Sequence, residues 1–280
     1  MRRHGEDIRA GQRLIAEGTV LDCRHIAVLA AQGVSAVSVR KRPRVTLLSS
    51  GRELRTPDQN LAPGQIHDSN LPMLMALLRA SGAAVCPMAI VSDSAAAMRS
   101  ALRRAALDAD LVITTAGISV GDEDHVRDAV RDLGGNLAVL SVAMKPGKPL
   151  AAGRLGDVIF IGLPGNPLAA VAGTIAFVRP LLAHMTGTIP PAAFRAHAGF
   201  DIRRKPGRTE FILAGLRQHD ACLWVERAGP DGSGRLAPLL VATGFAVLPA
   251  QDGNVRRGAM LDFTPFMPSA AEACLETLND

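Results

Sequence analysis

The strongest constraint on the fold is a regular alternation of short apolar runs with segments of helical length between residues 43 and 187. The runs RVTLLSS at 44–50 and VIFIGL at 158–163 lack alternating polar positions, which is typical of strands buried on both faces. Helical segments such as SAAAMRSALRRAALDA at 94–109 separate them. Strands that alternate with helices predict an α/β fold, a three-layer parallel-type sheet with helices on both faces.

Local start and stop signals place the individual elements of this region. Asp93 or Ser94 is suited to cap the 94–109 helix. The predicted helices are 23–32, 71–81, 94–109, 123–135 and 167–185. The predicted strands are 34–39, 44–50, 83–91, 110–115, 137–144 and 158–163.

The pattern changes after Pro190 and Pro191, where short strand-like runs alternate with Gly-rich breaks. These runs are 200–205, 208–216, 222–227, 245–249 and 259–266. They predict a small all-β domain from about residue 190 to 268. The predicted domains are 1–42, a remnant of an N-terminal or linker region, 43–187, the α/β domain, and 188–280, the β domain with a short helical tail.

Composition and charge argue against several function classes. The net charge is +5, but residues 1–44 carry nine basic and four acidic groups, so the rest of the chain is neutral and presents no basic face for nucleic acid. Aromatic residues make up only 3%, too few for a base-stacking surface. The four cysteines are widely spaced, which favours reduced thiols. Without a recognisable signal peptide or a membrane-length apolar run, we expect a cytoplasmic protein that does not associate with membranes.

Three loops rich in glycine, serine and proline follow predicted strands, at residues 49–53, 114–122 and 162–167. Ligands of open parallel sheets bind at the carboxyl ends of the strands. The second loop also opens a helix, whose N-terminus attracts anions. Neither a Walker loop nor a dinucleotide fingerprint is present, and an ordinary strand-to-helix turn remains an alternative.

A lysine pair marks a candidate oxyanion site. The chain has four lysines against twenty-seven arginines, and Lys145 and Lys148 lie together in the turn MKPGKP. Compact ammonium groups on a rigid turn suit phosphate or molybdate. The alternative is a solvated basic turn.

Five carboxylates follow predicted strands and are expected near one sheet edge: Glu53, Asp93, Asp122, Glu123 and Asp124. Carboxylates beside a phosphate-binding loop commonly hold Mg²⁺. Helix capping is an alternative for Asp93 and Asp122. His67 and His125 lack a second histidine at ligand spacing and are interpreted as surface residues.

In this order, nine features of the chain resemble the molybdopterin molybdenumtransferase family. They are GEDIRAG at 5–11, SSGREL at 49–54, GQIHDSN at 64–70, Asp93, TTAGISVGDEDHV at 114–126, VAMKPGKP at 142–149, GLPGNP at 162–167, KPGRTEF at 205–211 and GSGRLAPL at 232–239. The resemblance implies a molybdopterin-binding α/β domain. It also implies transfer of molybdenum from molybdate to adenylylated molybdopterin, with release of AMP, in a Mg²⁺-dependent homodimer whose cleft includes the other subunit's β domain.

The resemblance also implies roles for individual residues. The implied catalytic residues are Asp93, Asp124 and Lys148, and the implied Mg²⁺ ligands are Glu53, Asp93 and Asp124. The implied residues for the pterin nucleotide and the oxyanion are Gly51, Thr115, Gly117, Ser119, Gly121, Lys145, Pro164, Gly165, Asn166, Arg208 and Ser233.

Departures from the family pattern leave alternatives open. Arg52 replaces an acid of the family, and Ala116 replaces a glycine, where a Cβ disfavours a positive φ by roughly 1 kcal/mol. Family members have an extended region before GEDI, so we expect normal ligand binding but reduced turnover by this chain alone. A separate chain that supplies that region and a molybdopterin adenylyltransferase are candidate partners. The alternative functions are an inactive scaffold paralogue that binds the pterin and an adenylyltransferase-like enzyme.

Overall fold

The computed structural model describes residues 5–88, 90–92, 94–116, 125–188, 193–219, 222–230, 232 and 234–267. The predicted helical tail lies beyond residue 267, outside these ranges. Helix α1 (Cys23–Ala31) forms as predicted, and the Asp22 carboxylate caps it by accepting backbone N–H groups of Arg24 and His25. The predicted strand at 34–39 is wrong: this segment is exposed and has no regular structure, because no other strand pairs with it.

The first sheet has six strands in the order β4-β1-β5-β9-β8-β6. They are β1 (Arg44–Ser49), β4 (Ala84–Pro87), β5 (Leu111–Thr115), β6 (Asn136–Ser141), β8 (Pro149–Leu155) and β9 (Val158–Leu163). Strands β4, β1, β5 and β9 are parallel, as predicted, whereas β8 runs antiparallel to both of its neighbours, β9 and β6. Strand β8 was not predicted, because its sequence PLAAGRL contains no β-branched residue. The carboxyl ends of β1, β5 and β9 therefore share one sheet edge.

Helices cover both faces of this sheet. They are α2 (Asn70–Ala80), α3 (Ala95–Asp108), α4 (His125–Asp132), α5 (Pro167–Gly173) and α6 (Arg179–Thr186). One core contains Leu47 of β1 with residues of α2 and α6, and the other contains Leu48 with residues of α3 and α4. Neighbouring residues of one strand thus face opposite cores, which confirms the three-layer fold. Ser94 is the cap of α3, since its side chain accepts the Ala97 N–H.

The predicted long helix is continuous from Pro167 to Thr186, but residues Thr174–Val178 form a π-helical segment between α5 and α6. Pro180 explains the widening, because proline has no N–H and its ring clashes with the carbonyl four residues earlier. Within the described part of the chain, this helix is long and apolar enough to meet the length and composition criteria for a membrane span, which the sequence analysis did not recognise. In the fold, 67% of its most apolar window is buried. A buried core helix satisfies the same criteria.

The second sheet has the order β12-β10-β14-β13-β11-β7, and an additional β12–β11 pairing brings its ends together in a barrel-like arrangement. Its strands are β7 (Met144–Lys145), β10 (Phe194–Ala198), β11 (Thr209–His219), β12 (Cys222–Arg227), β13 (Gly244–Leu248) and β14 (Met260–Pro265). This confirms the small all-β domain. The predicted strand 200–205 is wrong, because in this segment only Ile202 forms a bridge, which pairs it with Val255. Strand β10 was not predicted.

The α/β part and the second sheet are in direct contact. Strand β7 comes from the α/β segment but pairs in parallel with β11, which places Lys145 opposite Glu210. Arg179 of α6 is buried and donates a hydrogen bond to the Pro265 carbonyl at 2.8 Å. Burial of this guanidinium lowers the pKa of Arg179. The α/β core and the β domain therefore share a packed interface.

Candidate functional site

The first strand-end loop begins where β1 ends. The Ser49 hydroxyl lies 2.9 Å from the Thr115 hydroxyl, which links the ends of β1 and β5. A short parallel pairing of β2 (Leu54–Arg55) with β3 (Ile66–His67) follows the loop. The exposed Glu53 side chain folds back over Gly51, where an added Cβ would lie 2.8 Å from its carboxylate oxygens. Only glycine leaves room for this arrangement.

The second and third loops meet through Ala116 and Gly165. Ala116 adopts a φ of 70°, the positive region that the sequence analysis considered for this position. A Cβ placed on Gly165 would lie 3.1 Å from the Ala116 Cβ, so the two loops approach as closely as a glycine permits. The Ala116 N–H also bonds to the Leu163 carbonyl at 3.1 Å.

Asn70 stabilises the third loop through a side-chain hydrogen bond. It is 8% exposed, and its side-chain amide donates a 2.6 Å hydrogen bond to the Gly165 carbonyl. Asp68 fixes this residue by accepting the backbone N–H groups of Asn70 and Leu71. The motif HDSN therefore orients the loop GLPGNP, a role that the sequence analysis did not assign to Asn70.

The lysine turn borders a cavity of about 570 Å³ between the α/β segment and the β domain. Of the predicted site residues, five line this cavity: Lys145, Lys148, Pro164, Asn166 and Arg208. Phe211 and Phe245 contribute apolar surface. Arg208 and both lysines belong to the same chain, so one copy brings these three cations together.

Glu210 is a further charged residue of this cavity that sequence reasoning missed. Its carboxylate lies 3.3 Å from the Lys145 ammonium and 3.1 Å from the Arg204 guanidinium. The signal was present in the strand TEFILAGL, because Glu210 occupies the alternating buried position that Ile212, Ala214 and Leu216 share. An acid in such a position requires cationic partners.

The remaining predicted residues lie elsewhere or outside the described ranges. Gly51, Glu53 and Thr115 lie at the strand ends and Gly165 in the third loop, and none of them lines the cavity. Asp93, Gly117, Ser119, Gly121, Asp122, Glu123, Asp124 and Ser233 are not among the residues that the structure describes. His67 is exposed, in agreement with its interpretation as a surface residue.

The described residues do not by themselves form a magnesium site. No group of three His, Cys, Asp or Glu side chains converges within the described part of the chain. Of the three implied ligands, Glu53 alone is described, and its carboxylate lies over Gly51.

Comparison with known families assigns both parts of this architecture. Residues 46–184 match the family model of a probable molybdopterin binding domain, and residues 195–266 match the model of the MoeA C-terminal region, domain IV. The fold thus contains the two parts that these family models describe, a probable molybdopterin binding domain and a C-terminal β region. The chain belongs to the molybdopterin molybdenumtransferase family, as the sequence analysis predicted.

Individual relatives support this assignment. The chain is 35% identical to a molybdopterin molybdenumtransferase of Nostoc sp. over 89% of its own length and 59% of the relative's. It is 32% identical to that of Haemophilus influenzae, covering 95% and 67%. A crystal structure of a molybdopterin biosynthesis MoeA protein from Pyrococcus horikoshii superposes with a TM-score of 0.79 at 25% identity, covering 94% of this chain and 64% of that one. The chain thus spans about three fifths to two thirds of these relatives.

Proposed function

We propose that this chain transfers molybdenum from molybdate to adenylylated molybdopterin, with release of AMP and formation of molybdenum cofactor. The observation that carries the proposal is the cavity in which Lys145, Lys148 and Arg208 lie together beside Pro164 and Asn166. These cationic groups are complementary to the negative charge of a tetrahedral oxyanion such as molybdate. Membership of the family supports the same substrate class.

The chain's residues would act by positioning and by neutralising charge. The ammonium groups of the lysine turn and the guanidinium of Arg208 would hold the oxyanion. The strand-end loops with Thr115 and Gly165 would orient the pterin nucleotide. The family resemblance implies that Gly117, Ser119 and Gly121 of the second loop would also line its site. No covalent protein intermediate is required, so orientation and electrostatic stabilisation supply the rate enhancement.

The remaining elements of the proposal come from the family resemblance. Glu53, Asp93 and Asp124 would hold Mg²⁺, which neutralises the leaving phosphate when it is bound. Ser233 would join Arg208 at the oxyanion. We further propose a cytoplasmic homodimer.

One observation favours a second candidate, a scaffold paralogue that binds the pterin without turnover. Ala116 introduces a methyl group at a positive φ directly against Gly165, in the loops proposed to bind the ligand. A crowded loop would lower turnover more than binding. The appended β domain argues against the third candidate, an adenylyltransferase-like enzyme.

The test is AMP release from adenylylated molybdopterin by the purified chain, with and without molybdate. Molybdate-dependent release supports the proposal. Binding of the adenylylated pterin in calorimetry without any release supports the scaffold. ATP-dependent adenylylation of molybdopterin identifies the adenylyltransferase. Neither binding nor turnover of any of these compounds would overturn the proposed function.

A further inference from the structure

Glu210 places a negative charge where the proposed function needs positive charge. Among the described residues that line the cavity, three are cationic and one, Glu210, is acidic. It is 8% exposed, so water does little to screen its charge. An acid at this position lowers the affinity of the cavity for any anion.

The position of the Glu210 carboxylate is fixed by Arg204. The Arg204 side chain is only 2% exposed, and its Nε donates to Glu210 Oε1 at 3.1 Å. Its other nitrogens donate to the Pro249 and Asp252 carbonyls at 2.9 and 3.0 Å and to the Arg208 carbonyl. Four of the five N–H groups of this buried guanidinium thus donate hydrogen bonds, which fix its position.

Lys145 is the exposed partner of this arrangement. Its side chain is 52% exposed, and its Nζ donates to Glu210 Oε2 at 3.3 Å. The parallel pairing of β7 with β11 sets Lys145 opposite Glu210, so the contact is built into the sheet. Each donor that Lys145 directs to Glu210 is unavailable to an oxyanion.

We propose that Glu210 is a positioning residue that restrains Lys145 and weakens the hold of the cavity on its oxyanion, so that the bound oxyanion can be passed on rather than trapped. The inference rests on the proposed oxyanion site. Lys148 and Arg208 capture the anion, and Lys145 is shared between the anion and Glu210. Tight binding of the substrate alone does not raise the rate of a transfer step, so restraint of this kind is consistent with a transferase.

The test is calorimetric titration of the full chain with molybdate and with tungstate, comparing wild type with Glu210→Gln. Glutamine keeps the size of the side chain and an oxygen acceptor for Arg204 but removes the charge. We expect the dissociation constant to fall about tenfold, which corresponds to about 1.4 kcal/mol. The matched control is Glu226→Gln on β12, which removes the same charge from a side chain that is 44% exposed and does not line the cavity. We expect this control to change the dissociation constant less than twofold.

Tighter binding is a result that general loss of structure cannot produce. The Glu210→Gln variant should also show a steeper fall in affinity with ionic strength, because the net charge of its cavity is higher. Unchanged or weaker binding by the folded variant would refute the inference. Failure of the wild type to bind either oxyanion would instead refute the proposed oxyanion site.

A second comparison remains decisive if Glu210→Gln does not fold. Lys145→Met and Lys148→Met remove the same amine from the same turn, and only Lys145 is restrained by Glu210. We expect Lys145→Met to weaken oxyanion binding severalfold less than Lys148→Met. Equal losses, or a larger loss at Lys145, would contradict the restraint.

Discussion

Replacing Ala116 with glycine should stabilise the protein. Ala116 follows β5 with a φ of 70°, a conformation in which the Cβ of an L-residue approaches its own backbone. Glycine has no Cβ and adopts this conformation without strain. The strain lies in the loop that joins the strand to the proposed ligand site.

The size of the effect follows from two opposing contributions. Relief of the left-handed conformation contributes about 1–2 kcal/mol. The greater freedom of glycine in the unfolded chain offsets about 0.4–1 kcal/mol of this gain. We therefore expect a net stabilisation of about 1 kcal/mol, which raises Tm by about 2 °C for a chain of this size.

The assay is thermal and urea unfolding of Ala116→Gly beside Ala36→Gly. Ala36 is exposed, lies outside helices and strands and has no positive φ, so its replacement should destabilise slightly through the unfolded state alone. Opposite signs for the two variants isolate the backbone conformation as the cause. An Ala116→Gly variant as unstable as Ala36→Gly would refute the reasoning.

A double-mutant cycle tests the contact between the loops. Gly165→Ala adds a Cβ 3.1 Å from the Ala116 Cβ and should cost about 1–3 kcal/mol through overpacking. In the Ala116→Gly background the nearest remaining atom is the Cα of residue 116 at 3.6 Å, which is ordinary contact. We expect a coupling energy of about 1 kcal/mol. Additive effects would show that the two loops do not touch.

Three further perturbations test other parts of the structure. Lys148→Ala should weaken oxyanion binding by about 1.5–3 kcal/mol in calorimetry, whereas Lys205→Ala, outside the cavity lining, should leave it unchanged. Asn70→Ala should cost about 1–2 kcal/mol in urea unfolding, because the third-loop carbonyl loses its donor. Partial burial raises the pKa of Asp110, but hydrogen bonds and the charge of Arg44 outweigh it and hold that pKa below 3.8. Asp110→Asn should therefore lower the free energy of unfolding by about 0.5 kcal/mol well above pH 4, a small effect because the Arg44–Asp110 pair is half-exposed. The difference between variant and wild type should vanish as the pH falls through the lowered pKa. A difference that persists at the lowest pH would contradict this sign.

The candidate site was only partly predictable from sequence. The rarity of lysine singled out Lys145 and Lys148, and the structure places both on the cavity wall with Arg208. Glu210 and Arg204 were missed, although an acid in the apolar register of a strand was visible in TEFILAGL. The pairing of Glu210 with Lys145 depends on β7 joining the second sheet, and no local sequence pattern predicts this.

The domain boundaries stay a prediction, because contacts between distant segments cross them. The division at residues 43–187 and 188–280 follows the change in hydrophobic pattern near Pro190. Residues 144–145 nevertheless pair with the second sheet, and Phe245 of that sheet packs into a core of the α/β part. The boundary that the sequence predicts near residue 187 therefore does not coincide with the boundary between the two packed parts.

The sequence by itself determined the elements whose causes are local. Apolar runs defined the parallel strands β1, β5 and β9, and Ser94 started α3, because periodicity and capping act over a few neighbouring residues. The tertiary structure alone decided which strands pair and in which direction. It placed β8 antiparallel between β9 and β6, left residues 34–39 without a partner and brought Glu210 to Lys145 across 65 positions. Such pairings depend on hydrogen bonds and packing between distant segments, which only the folded chain brings together.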